Sequence, residues 1–212
     1  MSGAPIALIV GLGNPGAEHQ KTCHNAGYWF VDALADRTRA EFRSDSKFHG
    51  LVANCALAGR SVWLLKPTTY MNRSGMAVGA FVNYFKIPTA EVLVVYDELD
   101  LPPGTARLKF GGGHAGHNGM RDVIANAGDG FWRLRLGIGH PGNKNAVIDH
   151  VLDRPSREDE RAIRAAIAEG LDIVPVLIEQ GGERAMNQLH RRSPAANVEA
   201  PAAANDVPAN NK

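Results

Sequence analysis

Apolar, strand-like runs in this chain empty repeatedly into short glycine-rich stretches that carry Asn, His or Asp, at Asn14, His24, Asn72, Asp97 and Asn118. Strands that end in polar loops are how an open α/β sheet builds a site, because the sheet holds loop residues at fixed separations above its carboxyl edge. The types present are amides, an imidazole and a carboxylate. An Asp and a His together make an oriented general base, and an amide can both donate to and accept from a peptide group. No serine stands in a G-x-S-x-G turn, so water is the natural nucleophile for this set.

The apolar pattern places the elements around those loops. Residues 6–10 and 92–96 are continuous apolar runs that read as buried strands, and residues 50–57 and 61–65 flank Ala58, Gly59 and Arg60 as a hairpin. From Thr105 to Phe110 the alternation turns Ala106, Leu108 and Phe110 inward and Arg107 and Lys109 to water; from Trp132 to Ile138 it does the same with Arg133 and Arg135 on the wet side. Helical spacing predicts helices from Ala26 to Leu34 or beyond, from a cap at Ser74 to Phe85, and from Gly119 through Ala127. A long C-terminal helix starts at Ser156, with Asp159 completing a capping box, and Pro175 should kink or divide it. Beyond Arg192 the chain turns to Ala, Pro and Asn, which predicts one domain over 1–192 and a disordered tail over 193–212.

At 212 residues the chain can bury a core without disulfides or metal. A formal charge of +1 gives no whole-molecule pull on nucleic acid, so any such contact must be local. Residues 1–5 lack a basic region and no apolar run is long enough to span a bilayer, so a soluble cytoplasmic protein is expected, with Cys23 and Cys55 as reduced thiols.

Two other constellations compete. Gly11 to Gly16 (GLGNPG) fits the G-x-G-x-x-G dinucleotide fingerprint, yet residues 17–23 have no apolar stripe to make the required helix, and Asp36 falls inside a helical pattern. His114, His117, Asp97 and His24 could be imagined around a metal, but no HExxH or cysteine cluster fixes their geometry, and His114 and His117 read as solvated loop residues. Cys23 beside His24 makes a weak nucleophile and base pair, since neighbours point apart. Taken singly, each Asn beside a Gly reads as a turn residue, His24 as surface and Asp97 as a cap. The set is what shifts the reading.

In order and spacing, five segments closely resemble the bacterial-type peptidyl-tRNA hydrolase family: Gly11 to Gly16 with His24-Asn25-Ala26-Gly27, Lys66 to Gly75 (KPTTYMNRSG), Asp97 to Gly104 (DELDLPPG), Gly111 to Asp122 (GGGHAGHNGMRD) and Arg133 to Pro141 (RLRLGIGHP). The resemblance covers about residues 6–192. It implies an α/β fold, a single-domain three-layer α/β/α sandwich around a twisted mixed β-sheet, and cleavage of the ester joining a peptide to tRNA. His24 would be the base on water, oriented by Asp97; Asn72 would hold substrate and water; Asn14 would bind the peptide backbone; Asn118 and Tyr70 would contact the substrate near the ester. Lys109 and Arg135 would clamp the tRNA 5′ phosphate, and residues 140–144 with the short helix after them would gate the cleft. Peptidyl-tRNA is the implied partner, with no metal or nucleotide cofactor, no membrane and a monomeric state. His19 stands where the family usually has Tyr, leaving a ring that can still stack on the tRNA, and Cys23 where it usually has Arg. The alternatives are an NAD-binding Rossmann-type oxidoreductase and a non-catalytic RNA-binding module.

Overall fold

A strand covered on both faces needs no polar alternation, and the two continuous apolar runs become the middle of the sheet. The computed structural model describes residues 5–192; the tail expected over 193–212 lies outside the described residues. The strands are β1 (Leu8–Gly11), β2 (Arg43–Asp45), β3 (Gly50–Leu57), β4 (Arg60–Pro67), β5 (Val92–Glu98), β6 (Ala106–Phe110) and β7 (Trp132–Gly137). They form one sheet in the order β2-β3-β4-β1-β5-β7-β6. The central strands β4, β1, β5 and β7 run parallel, whereas β2, β3 and β6 join antiparallel at the two edges. The sheet is therefore mixed, and four carboxyl ends open on one edge.

The helices are α1 (Ala26–Thr38), α2 (Ser74–Phe85), α3 (Asn118–Ala127), α4 (Val147–Leu152), α5 (Arg157–Gln180) and α6 (Gly182–Arg192). One face of the sheet, with Leu93, Val95, Leu134 and Leu136, packs against Phe30 of α1, Ile167 and Leu171 of α5 and Leu189 of α6. The other, with Leu8, Val10 and Val94, packs against Val78 and Phe81 of α2 and Met120 and Val123 of α3. Burying each large side chain of these layers is worth about 2–3 kcal/mol.

Helix α1 lies unusually close to the sheet at Gly27. A Cβ there would meet the carbonyl oxygen of Val95 and, at 2.5 Å, the backbone N and O of Leu12. Those are main-chain atoms that cannot rotate away, so Gly27→Ala is expected to cost about 3 kcal/mol or more, and a fall in Tm measures it. An unchanged Tm would mean that the helix can lift from the sheet without loss.

Several sequence expectations need correction. The β3–β4 turn uses only Ala58 and Gly59, both at positive φ (50° and 71°), the two-residue mirror-image turn whose twist suits a hairpin. Ser74 does not cap α2; its hydroxyl donates back to the carbonyl of Met71. Ser156 does cap α5, accepting from Asp159 N at 3.0 Å, but Asp159 Oδ2 accepts from the Ser156 hydroxyl rather than from a backbone N–H. Pro175 lies inside α5 without dividing it. Phe110 is 47 % exposed rather than inward, and Arg133 is buried rather than wet. No described helix is long and apolar enough to cross a membrane.

Candidate active site

Loops from several elements bring the chemical groups to the carboxyl edge of the sheet. β1 delivers Asn14 three residues past its end, β4 delivers Tyr70 and a 3-10 turn at Met71–Arg73 containing Asn72, and β5 itself carries Asp97. A 3-10 turn at Cys23–Asn25, just before α1, presents His24, and the start of α3 presents His117 and Asn118. Together Asn14, His24, Tyr70, Asn72, Asp97, His117 and Asn118 line a cleft of about 300 Å³, closed on one side by Val147, Ile148, Val151 and Leu152 on and around α4. α4 is tied back to the site, since Cys23 N donates to the carbonyl of Asp153 at 3.1 Å.

Asp97 is the hub. His24 Nδ1 lies 2.9 Å from both of its carboxylate oxygens, and His117 Nε2 lies 3.0 Å from Oδ1. The tautomers follow from the remaining partners. His117 Nδ1 accepts from Met120 N at 3.2 Å, so in the neutral ring the proton is on Nε2 and is donated to Asp97. His24 likewise turns Nδ1–H to Asp97 and leaves Nε2 with a lone pair. The two rings are 4.9 Å apart. Burial would depress the pKa of His24, but the charge and hydrogen bond of Asp97 outweigh it and hold the imidazole above its ordinary 6.5. For Asp97 itself burial is the largest influence and acts upward; the two imidazoles reverse it and keep the carboxyl well below the usual range.

The amides divide into one held and two free. Asn14 is buried, its N–H donating to Asn25 Oδ1 at 2.8 Å, and its own Oδ1 accepts from Met71 N at 2.7 Å. That leaves Nδ2 as the half of the carboxamide available to a ligand. Asn72 and Asn118 are exposed on the cleft wall, as is Tyr70 at 64 %. His19 is not among the cleft-lining residues; its ring lies 3.7 Å from Glu18 Oε1. The Cys23 thiol is pushed up to about 12, chiefly by burial, and is inert as a nucleophile.

Lys109 and Arg135 meet at a second, smaller cavity of about 140 Å³, together with Tyr96, Glu98, Gly113, Ala115 and Arg133. Arg135 is not an isolated charge: its Nε donates to Glu98 Oε2 at 2.9 Å. Three cations face one carboxylate there, which leaves a net attraction for an anion.

Both competing constellations are overturned or narrowed by geometry. After Gly16 the chain turns rather than starting a helix, and α1 begins only at Ala26 with Asp36 inside it. Gly11 serves close packing instead, for a Cβ on it would strike the carbonyl of Gly27. His24, Asp97 and His117 do converge, with ligand atoms within 4.8 Å of one another, and their N···O separations of 2.9–3.0 Å are those of hydrogen bonds. His114 is apart from them, accepting from Gly116 N on its own loop. Sequence reasoning missed the role of His117, whose position just before the apolar pattern of α3 marks it as the helix cap; the short helix expected over the cleft is α4, although its apolar residues were not singled out because it is too short to show a period.

The sequence model of a family described as Peptidyl-tRNA hydrolase matches residues 8–197. A curated relative named peptidyl-tRNA hydrolase, from Azotobacter vinelandii, is 53 % identical over 189 residues, 88 % of this chain and 97 % of the relative. One of the same name from Neisseria gonorrhoeae is 50 % identical, over 88 % of this chain and 98 % of its own. The crystal structure of peptidyl-tRNA hydrolase from Acinetobacter baumannii is similar with a TM-score of 0.87 and 47 % identity, covering 90 % of this chain and 97 % of that one.

Proposed function

The chain belongs to the peptidyl-tRNA hydrolase family, and from that premise we propose that it cleaves its substrate's ester with His24 as the general base. Hydrolysis of peptidyl-tRNA is the activity that membership brings; the roles of the residues are our reading of the cleft. The observation that carries it is the bond from His24 Nδ1 to Asp97, which leaves Nε2 unprotonated toward the cleft.

Nε2 takes a proton from water as the water oxygen attacks the ester carbonyl carbon, and Asp97 stabilises the imidazolium that forms. The tetrahedral intermediate collapses by breaking the bond to the ribose oxygen. Nε2–H returns its proton to that oxygen, and the products are the peptide acid and tRNA with a free hydroxyl. Asn14 Nδ2 donates to a carbonyl of the peptide, which favours peptidyl over free aminoacyl esters. Asn72 and Asn118 hold substrate and water on the open side, with Tyr70 along the chain leading away. His19 has no assigned contact in this scheme, because it does not line the cleft. One chain supplies every group, in keeping with a monomer that returns tRNA from prematurely released peptidyl-tRNA. Incubation with N-acetyl-aminoacyl-tRNA tests the reading: release of free tRNA and the blocked amino acid supports it, and intact ester sinks it.

We assign the cavity between Lys109 and Arg135 to the tRNA 5′ phosphate. Phosphate contacts position a ligand without reading sequence, which suits an enzyme that must accept many tRNAs. Replacing both residues with Ala is expected to raise KM for full-length substrate about ten- to a hundredfold, with a smaller effect on kcat. The salt dependence of KM should flatten at the same time. An adenosine ester of the same blocked amino acid, lacking that phosphate, should be spared. Equal losses on both substrates would remove the phosphate from the assignment.

A further inference from the structure

The loop from Gly111 to His117 starts at the wrong end of the sheet for the job it does. β6 runs antiparallel to β7, with Phe110 opposite Trp132 and Ala106 opposite Leu136. The chain therefore emerges beside the beginning of β7, and it must travel back along the sheet before His117 can reach Asp97 at the far edge of β5. Its own backbone is poorly suited to hold that course. Gly111, Gly112, Ala115 and Gly116 all have positive φ, and glycine-rich segments lose the most freedom on being fixed.

Beneath the loop lies Arg133. Its Nη1 donates to the carbonyl of Gly113 and its Nη2 to that of Gly112, with a longer bond of 3.4 Å to Asp129 O, while the guanidinium stacks 4.6 Å from the centre of the Phe131 ring. The residue is 2 % exposed, and its Nε has no partner. Among the described residues no carboxylate lies within ion-pair distance of it. A buried, unpaired charge is costly, and an apolar side chain of similar volume would be easier to bury. What only a planar fork can do is grip two successive carbonyls at once. Tyr96 joins the same unit, with its hydroxyl beside Arg133 and its ring edge-on to His117 at 5.1 Å.

We infer that Arg133 is a positioning residue for ester hydrolysis: by fastening Gly112 and Gly113 it sets His117 against Asp97 and Asn118 on the cleft wall. Because it also lines the cavity of Lys109 and Arg135, the phosphate seat and the catalytic cleft form one braced unit. The inference rests on the hydrolase reading above and adds a residue to it that touches no reacting atom.

The test compares the parent enzyme with Arg133→Met and Arg133→Lys on N-acetyl-aminoacyl-tRNA and on the corresponding adenosine ester. A parent that cleaves neither substrate would sink the hydrolase reading itself, separately from this inference. With an active parent, Arg133→Met is expected to lower kcat on both substrates by about ten- to a hundredfold, as displaced groups do, with KM for the adenosine ester little changed. Arg133→Lys should recover only part of that, since an ammonium cannot reproduce the fork. Independently of turnover, nitrogen-15 spectra of the imidazoles should show His117 as the single Nε2–H tautomer in the parent and as a mixture in Arg133→Met. Parent-like kcat of Arg133→Met on the adenosine ester overturns the inference, and so does lost activity with an unaltered His117 spectrum. If Arg133→Met does not fold, Arg133→Lys decides: parent-like kcat and spectrum overturn the inference, and a lowered kcat with a disturbed His117 spectrum upholds it.

Discussion

Replacing His24 with Ala is expected to lower kcat by about 10²–10⁴-fold, the usual contribution of a positioned base. Binding should change far less, because Asn14, Asn72 and the phosphate cavity lie on other elements. The change is not neutral for the fold. The His24 side chain is largely buried, and its loss leaves Asp97 with one imidazole donor where it had two. One weakened buried carboxylate costs about 1–3 kcal/mol, so Tm should fall by a few degrees while the protein remains folded. Single-turnover hydrolysis of N-acetyl-aminoacyl-tRNA separates the two effects, because saturating enzyme removes any weakening of binding. A variant that keeps near-parent single-turnover rates would show that the proton leaves water by another route.

The strands that frame this base were legible because burial on both faces leaves a plain mark. β1 and β5 are continuous apolar runs, and the structure extends β5 through Asp97 to Glu98. β2 left no mark, being three polar residues, Arg43–Asp45, on an edge where one side faces water. Alternation misled at β7 for a specific reason: it treats every charge as outward. Arg133 is a charge with its own internal acceptors, the carbonyls of a glycine-rich loop that is distant in sequence, and no periodicity can announce them. The same blindness hid His117. Among glycines it reads as a solvated loop residue, and only the return of the loop across the sheet brings it to Asp97. Asn14, Asn72, Asp97 and Asn118 were readable as a set because each follows, ends or begins an element whose pattern is clear. His19, expected as a tRNA contact, stands outside the cleft lining with its ring 3.7 Å from Glu18 Oε1.

Asp97→Asn is expected to lower kcat by about 10³–10⁴-fold although it removes no atom from the hub, because it disturbs which nitrogen of His24 carries the proton. Asp97 accepts two N–H groups, from His24 Nδ1 and His117 Nε2. An amide has one accepting oxygen. His117 can only donate to it, since its other nitrogen is already committed to Met120 N, whereas His24 Nδ1 sits equally near both carboxylate positions and meets whatever replaces the second oxygen. The amide NH₂ then faces His24 Nδ1 as a donor, the ring proton moves to Nε2, and the nitrogen facing the cleft is no longer a base. The pH profile moves as well, with a sign that can be worked out. In the parent, Asp97 raises the His24 pKa above 6.5, so the unprotonated base accumulates only above that raised value and kcat/KM should climb along an acid limb centred there. The stability given by the charged pair is complete below 6.5 and is lost as pH rises through the raised value. Without the carboxylate, burial acts alone and lowers the pKa, so the residual activity should keep its plateau to more acidic pH than the parent. An Asp97→Asn enzyme with parent kcat, or one with a large loss but an acid limb in the parent's place, would mean that the carboxylate serves packing and that His24 is oriented by something else.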